Sequence, residues 1–171
     1  IQENGNYIGV LLINGTEIEQ RTIFDINNII EENTPLDINI SVSGFDLNAK
    51  FIILPTGNYY LNVDSNSTTV NPITNFRTSE IFYNIESNLP NGDFNLELVF
   101  TYPDTDNDGI LDNVPLRETE LEVFYFDTLT SSWINVPIAS RDFNANTITV
   151  YVDHLTEFTL MGSGTYNAPF Q

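Results

Sequence analysis

Phe94-Asn95-Leu96-Glu97-Leu98-Val99-Phe100 places Phe94, Leu96, Leu98 and Phe100 at alternate positions. Successive side chains of an extended strand point to opposite faces, so this spacing sends those apolar groups to one side. The other side receives Asn95, Glu97 and Val99. Leu36-Asp37-Ile38-Asn39-Ile40-Ser41-Val42-Ser43 repeats the pattern, with Leu, Ile, Ile and Val on one face and Asp, Asn, Ser and Ser on the other. In Thr147-Ile148-Thr149-Val150-Tyr151-Val152-Asp153 the shared face is Ile148, Val150 and Val152. One apolar face and one polar face is the habit of a half-buried antiparallel strand.

Working outward, residues 7–13, 17–24, 50–54, 58–63, 79–85, 119–127, 132–136 and 157–161 also read as strands. Asn14-Gly15, Pro55-Thr56-Gly57, Pro90-Asn91-Gly92 and the stretch from Asp127 to Ser132 separate them as turns. About ten short strands with regular punctuation predict an all-β fold, an antiparallel β-sandwich. A short helix is the one exception expected, from Asp25 to Asn33, with Ile26, Ile29 and Ile30 at helical spacing and Pro35 to stop it. A turn leading into 36–43 explains the same residues. The expected organisation is one domain over residues 1–163 and a flexible tail over 164–171. The chain begins at Ile1 and reads as a processed polypeptide or a fragment.

Composition narrows the function classes. The 171 residues hold 24 acidic side chains against 5 Lys and Arg, a formal charge of −19. Such a chain repels phosphate, which excludes nucleic acid, and it repels anionic lipid headgroups. No stretch is long and apolar enough for membrane insertion as a helix. With no Cys there is no disulfide, thiolate metal site or Cys nucleophile, and a single His excludes a His-rich zinc site. The 41% apolar share is enough to bury a core. Three sequons, at Asn14, Asn39 and Asn66, become glycan sites in a source that glycosylates secreted proteins.

The strongest chemical signal is Asp104-Thr105-Asp106-Asn107-Asp108-Gly109-Ile110-Leu111-Asp112. Asp104, Asp106 and Asp108 at alternate positions of a tight loop aim carboxylates inward, and Gly109 permits the sharp turn. The Ile110 carbonyl then coordinates, and Asp112 adds a carboxylate directly or through water. Hard oxygen ligands at these spacings suit Ca²⁺. The segment resembles the calcium loops of EF-hands, dockerins and thrombospondin type-3 repeats. Pro115 stands where an EF-hand carries its bidentate Glu, so Glu118, Glu120 or a more distant residue would complete the shell. The alternative is a solvated acidic turn between two strands.

Residues 121–161 carry a second pattern. An aromatic strand, Leu121-Glu122-Val123-Phe124-Tyr125-Phe126-Asp127, precedes Ser132-Trp133-Ile134-Asn135-Val136. The alternating strand at Thr147 follows, and then His154-Leu155-Thr156-Glu157-Phe158-Thr159-Leu160-Met161. This order, with an acidic loop upstream, resembles a C-terminal β block of secreted and surface proteins of bacteria and archaea. The resemblance spans about residues 77–163. It implies a secreted or cell-surface location and a structural role.

The His154-Leu155-Thr156 segment also resembles the self-cleavage motif of GAIN domains in adhesion receptors. That likeness implies His154 as base, Thr156 as nucleophile and Leu155-Thr156 as the scissile bond, through an ester that water hydrolyses. The chain lacks the cysteine pairs that brace that turn in the receptors. The alternative is a hairpin in which His154 packs at the turn and Thr156 starts an edge strand. No other catalytic constellation stands out, and the chain is otherwise read as not an enzyme.

Two further features bear on partners. Tyr59, Tyr60 and Trp133 could stack a sugar in a carbohydrate-binding module, or fill the core. Tyr7-Ile8-Gly9-Val10-Leu11-Leu12-Ile13 is apolar on both faces. It is either an ordinary first strand or an exchangeable one over 1–13, donated to a neighbouring subunit in a head-to-tail filament. The sequence thus predicts a Ca²⁺-stabilised, extracellular β-sandwich that builds filaments or adhesins by association with itself or other surface proteins.

Overall fold

The computed structural model describes residues 7–13, 16–25, 37–42, 45–53, 58–66, 69, 76–112 and 114–162. Twelve strands follow in chain order: β1 (Tyr7–Ile13), β2 (Thr16–Asp25), β3 (Asp37–Val42), β4 (Phe45–Ile53), β5 (Asn58–Asn66), β6 (Arg77–Ser87), β7 (Asn95–Thr101), β8 (Glu122–Asp127), β9 (Ser132–Val136), β10 (Ile138–Asp142), β11 (Thr147–Val152) and β12 (Glu157–Gly162). They form a seven-stranded sheet, in the order β1-β2-β5-β6-β12-β8-β9, and a five-stranded sheet, β10-β11-β7-β4-β3. Every pairing is antiparallel. The two sheets pack as a sandwich, as the alternating strands predict.

The stretch that decides the fold lies at its centre. β7 is the middle strand of its sheet, between β11 and β4, and Leu96, Leu98 and Phe100 are fully buried. Ile148 and Val150 of β11 and Leu47 and Ala49 of β4 lie beside them. The opposite sheet contributes Tyr83, Ile85, Val123, Phe158 and Leu160. Tyr83 meets Phe100 across the layers edge-on, with centroids 5.7 Å apart. Each such side chain removed from water contributes roughly 1.5–3 kcal/mol, so burial dominates the stabilisation.

Several expectations shift. β10 reads as no strand in the sequence, because it is an exposed edge strand with a bulge at Ala139 and lacks alternation. β4 begins at Phe45, earlier than residue 50, since Phe45, Leu47 and Ala49 continue the buried face. Residues 118–120 form a 3-10 turn before β8 rather than its first residues. That turn is the sole helical element among the described residues. Asp25 ends β2, and the remainder of the expected helix at 26–33 lies outside the described residues, as does the tail at 164–171. β12 sits between β6 and β8, so Thr156 leads into an interior strand, not an edge strand. β1 lies at an edge and pairs with β2 of its own chain.

The seven-stranded sheet is aromatic on its outer side. Trp133 is half-buried there, outside the core between the sheets, and packs on Phe126 at 5.4 Å and Phe82 at 6.1 Å. Phe76 lies over Phe124 at 4.9 Å, and Thr69 donates to the Glu157 carboxylate at 2.9 Å. Beneath them β6 bulges, with Ser79, Glu80 and Ile81 opposite Leu160 alone. Glu80 takes a left-handed φ of 64° at that point. The Thr159 hydroxyl donates to the Ile81 carbonyl at 2.7 Å and satisfies the disrupted ladder.

Candidate metal centre

The acidic loop leaves β7 and returns through the 3-10 turn into β8, so it connects the two sheets. A short ladder closes its base. The Leu111 N–H donates to the Leu116 carbonyl at 2.9 Å, and the Glu118 N–H donates to the Gly109 carbonyl at 3.0 Å. These bonds flank an isolated bridge between Ile110 and Arg117. In such a pair the bridged residue's own N–H and C=O face away from its partner. Ile110 therefore turns its peptide groups into the loop, and its N–H meets Asp108 Oδ1 at 2.9 Å.

Inside the loop the carboxylates converge. Asp104 is buried at 3% exposure; its Oδ1 accepts from the Asp108 N–H at 3.1 Å and its Oδ2 from the Gly109 N–H at 3.0 Å. Asp106 Oδ1 accepts from the same Asp108 N–H at 3.3 Å. Carboxylate oxygens of Asp104, Asp106 and Asp108 all lie within 4.8 Å of one another. Asn107 at φ 54° and Gly109 at φ 81° supply the two left-handed turns that fold the chain so tightly. Three like charges this close repel, and a hard cation bridging them would reverse the sign of the interaction.

The structure separates the predicted ligands. Asp104, Asp106 and Asp108 form one group, and the Ile110 backbone turns toward it. Asp112 faces Thr105 instead, accepting from its N–H at 3.1 Å and its hydroxyl at 2.6 Å. Those two bonds hold the Asp112 carboxyl below the usual carboxylate range. Pro115 is exposed and offers no side-chain ligand. The three grouped carboxylates could hold a divalent oxygen-seeking ion.

Sequence reasoning missed the groups that brace this loop. Tyr102 is buried, and its hydroxyl donates to Glu118 Oε2 at 3.2 Å. Burial and the adjacent Glu118 charge push the Tyr102 phenol well up from its ordinary value. Asn146, at a left-handed φ of 54°, donates from Nδ2 to the Asp104 carbonyl at 3.0 Å. Arg141 of β10 donates to the carbonyls of Glu118, at 2.6 Å, and Leu121. Nothing local in the sequence marks these residues, because each acts on a residue 16 to 42 positions away.

At the His154-Leu155-Thr156 segment the imidazole and the Thr156 hydroxyl have separate partners. The Thr156 hydroxyl donates to the Phe126 carbonyl at 2.7 Å. His154 Nδ1 lies 3.1 Å from Asp153 Oδ1, and Nε2 is buried with no hydrogen-bond partner. Neither ring nitrogen therefore bonds Thr156. The ring packs on Tyr125, with centroids 4.2 Å apart. The Leu155 N–H donates to Asn91 Oδ1 at 3.2 Å, and its peptide bond is trans with no left-handed φ.

Other predicted positions fall as follows. Asn66 closes β5 and is exposed, Asn39 lies in β3 opposite Asn48, and Asn14 lies outside the described residues. Tyr59 and Tyr60 belong to β5, four strands from Trp133 on β9. No helix of the described residues is long and apolar enough to cross a membrane. No protein-family model matches the chain, and no curated protein does.

Proposed function

We propose that the chain is an extracellular, cell-surface structural module whose sandwich is pinned by Ca²⁺, and that it assembles with copies of itself or with other surface proteins. One observation carries this reading: a three-carboxylate loop closed at its base by a backbone ladder. Asp104, Asp106, Asp108 and the Ile110 carbonyl would hold the ion, with Asp112 reached through water. The ion would neutralise part of a charge of −19 and fix the crossing between the sheets. The role would be mechanical: the ladder, Tyr102, Asn146 and Arg141 tie the loop to the strands it joins.

Ion binding to the folded state alone stabilises by RT ln(1 + [Ca²⁺]/Kd), about 2.7 kcal/mol at a hundredfold excess over Kd. For a chain of this size that is a rise in Tm of roughly 5–10 °C. Melting is expected to fall by that amount in EDTA and to recover with Ca²⁺. An identical curve in both conditions would remove the ion from the account. Negative-stain micrographs of the native material should show ordered assemblies. A uniform field of single particles at high concentration would count against the assembly role.

A further inference from the structure

We propose that Asn91 is a site of spontaneous, irreversible deamidation, guarded by two hydrogen bonds to the β11–β12 connection and exposed to reaction whenever that connection opens. The proposal depends neither on the ion nor on assembly.

The chemistry starts from a dipeptide. An asparagine amide is lost when the backbone nitrogen of the next residue attacks its Cγ. Glycine in that next position offers the least hindered nitrogen, because no side chain flanks the approach. Asn91-Gly92 is such a pair. It forms the centre of the turn between β6 and β7, which the Asp93 N–H closes by donating to the Pro90 carbonyl at 3.2 Å. Gly92 has a φ of 91° and Asn91 has no left-handed φ, as a type II turn with glycine at i+2 requires. Both residues are exposed, and no atom beyond the chain neighbours lies within 4 Å of where a Gly92 side chain would begin. Water therefore reaches the reacting groups.

The fold takes hold of both of them. The Gly92 N–H donates to the Asp153 carbonyl at 2.7 Å. Asn91 Oδ1 accepts from the Leu155 N–H at 3.2 Å. In this closed state the nucleophilic nitrogen keeps its proton on a carbonyl, and the amide is drawn across to a distant segment. Asp153 and Leu155 flank His154 in the connection from β11 to β12. That connection is itself tied down. The Thr156 hydroxyl donates to the Phe126 carbonyl at 2.7 Å, the Thr156 carbonyl accepts from the Ile85 N–H at 3.0 Å, and the His154 ring packs on Tyr125. Attack thus requires an opening in which both guarding bonds break. The rate in the folded chain is the rate of the free dipeptide multiplied by the open fraction.

The step needs only water and hydroxide. Hydroxide takes the Gly92 N–H proton, the nitrogen bonds to Asn91 Cγ, and the amide nitrogen leaves with a proton from water as ammonia, which restores the hydroxide. The succinimide ring then takes up a water molecule. Opening at one carbonyl gives aspartate. Opening at the other gives isoaspartate, in which the chain runs through the former side chain. The isoaspartate adds a CH₂ to the backbone and moves the Gly92 N–H off its partner. Either product places a new negative charge next to Asp93, in a chain already at −19. The turn then closes less well than before, so the change loosens this end of the sandwich in one direction only.

The full chain is incubated in mildly alkaline buffer, folded and in urea. After digestion, the peptide holding Asn91 is resolved into its asparagine, aspartate and isoaspartate forms by chromatography and mass. Conversion in the folded chain is expected to be at least about tenfold slower than in urea. Hydrogen exchange of the Gly92 amide in the same folded protein should give a protection factor that matches this retardation within about threefold, because one opening frees the nitrogen for both reactions. Thr156→Val removes the bond to Phe126 and should speed folded conversion by about threefold or more, with the urea rate unchanged. Thr156→Ser keeps the hydroxyl and should restore the wild-type rate. Equal rates in the folded chain and in urea would overturn the guarding bonds. Folded conversion far slower than the Gly92 protection factor allows would overturn Asn91 as a native-state site. If Thr156→Val fails to fold, the match between exchange and conversion in the wild-type chain decides alone.

Discussion

Asp104→Ala should abolish the response of the melting temperature to Ca²⁺ and lower Tm even in EDTA. Asp104 is the buried member of the acidic group, and each of its oxygens accepts a backbone N–H from the loop. Alanine leaves the Gly109 N–H without its acceptor in a part-buried site, and the Asp108 N–H with only the longer bond to Asp106. Each unsatisfied group costs on the order of 1–3 kcal/mol, reduced where water can enter. A loss of about 2–4 kcal/mol corresponds to roughly 5–15 °C at this chain length. Asp104→Asn separates the two effects. It keeps one acceptor oxygen, sets its amide N–H₂ against the other donor and sheds the charge, so in EDTA it should melt between wild type and Asp104→Ala and gain little from Ca²⁺. Asp106→Asn, at an exposed ligand, should weaken the Ca²⁺ response and leave the EDTA curve unchanged. Scanning calorimetry with and without the ion reads all three variants. If Asp104→Ala keeps the full Ca²⁺-dependent rise, the loop is not the binding site.

The same residues show how far the sequence could be read. Alternation at 94–100 and 147–153 locates the core strands because both faces have fixed environments, one against the second sheet and one against water. The β10 strand has no such contrast, and Ile138 to Asp142 gives no period to detect. Trp133 misleads for a related reason. A large aromatic suggests the space between sheets, but Trp133 packs on an outer face lined by Phe82 and Phe126. The Asp spacing is local, so the grouping of Asp104, Asp106 and Asp108 is legible in full. The departure of Asp112 toward Thr105 is not, because a hydroxyl seven residues away competes for the same carboxylate.

Arg141→Ala is expected to be the most damaging single change outside the core and the ion site. Its guanidinium spans from β10 to the 3-10 turn of the other side, donating to the carbonyls of Glu118 and Leu121. It lies 3.8 Å from Glu122 and 5.8 Å from the centre of the Phe143 ring. Hydrogen bonds from a charged donor contribute about 1.5–3 kcal/mol each, and Leu121 is fully buried, so its carbonyl has poor access to water. A loss of about 3–5 kcal/mol follows, roughly 6–20 °C in Tm. Arg141→Lys should fall between, because a single ammonium cannot reproduce a planar fork reaching two carbonyls. The change should also be felt at the acidic loop, which Arg141 does not touch. Glu118 ties the two places together: its carbonyl accepts from Arg141, its N–H donates to the Gly109 carbonyl, and its carboxylate accepts from Tyr102. Releasing the turn loosens the base of the loop, so Ca²⁺ affinity should drop along with stability. A double-mutant cycle of Arg141→Ala with Asp104→Ala should then show a coupling above about 0.5 kcal/mol. Simple additivity, with an undiminished Ca²⁺ response in Arg141→Ala, would mean that the turn braces the sandwich alone and that the loop stands on its own ladder.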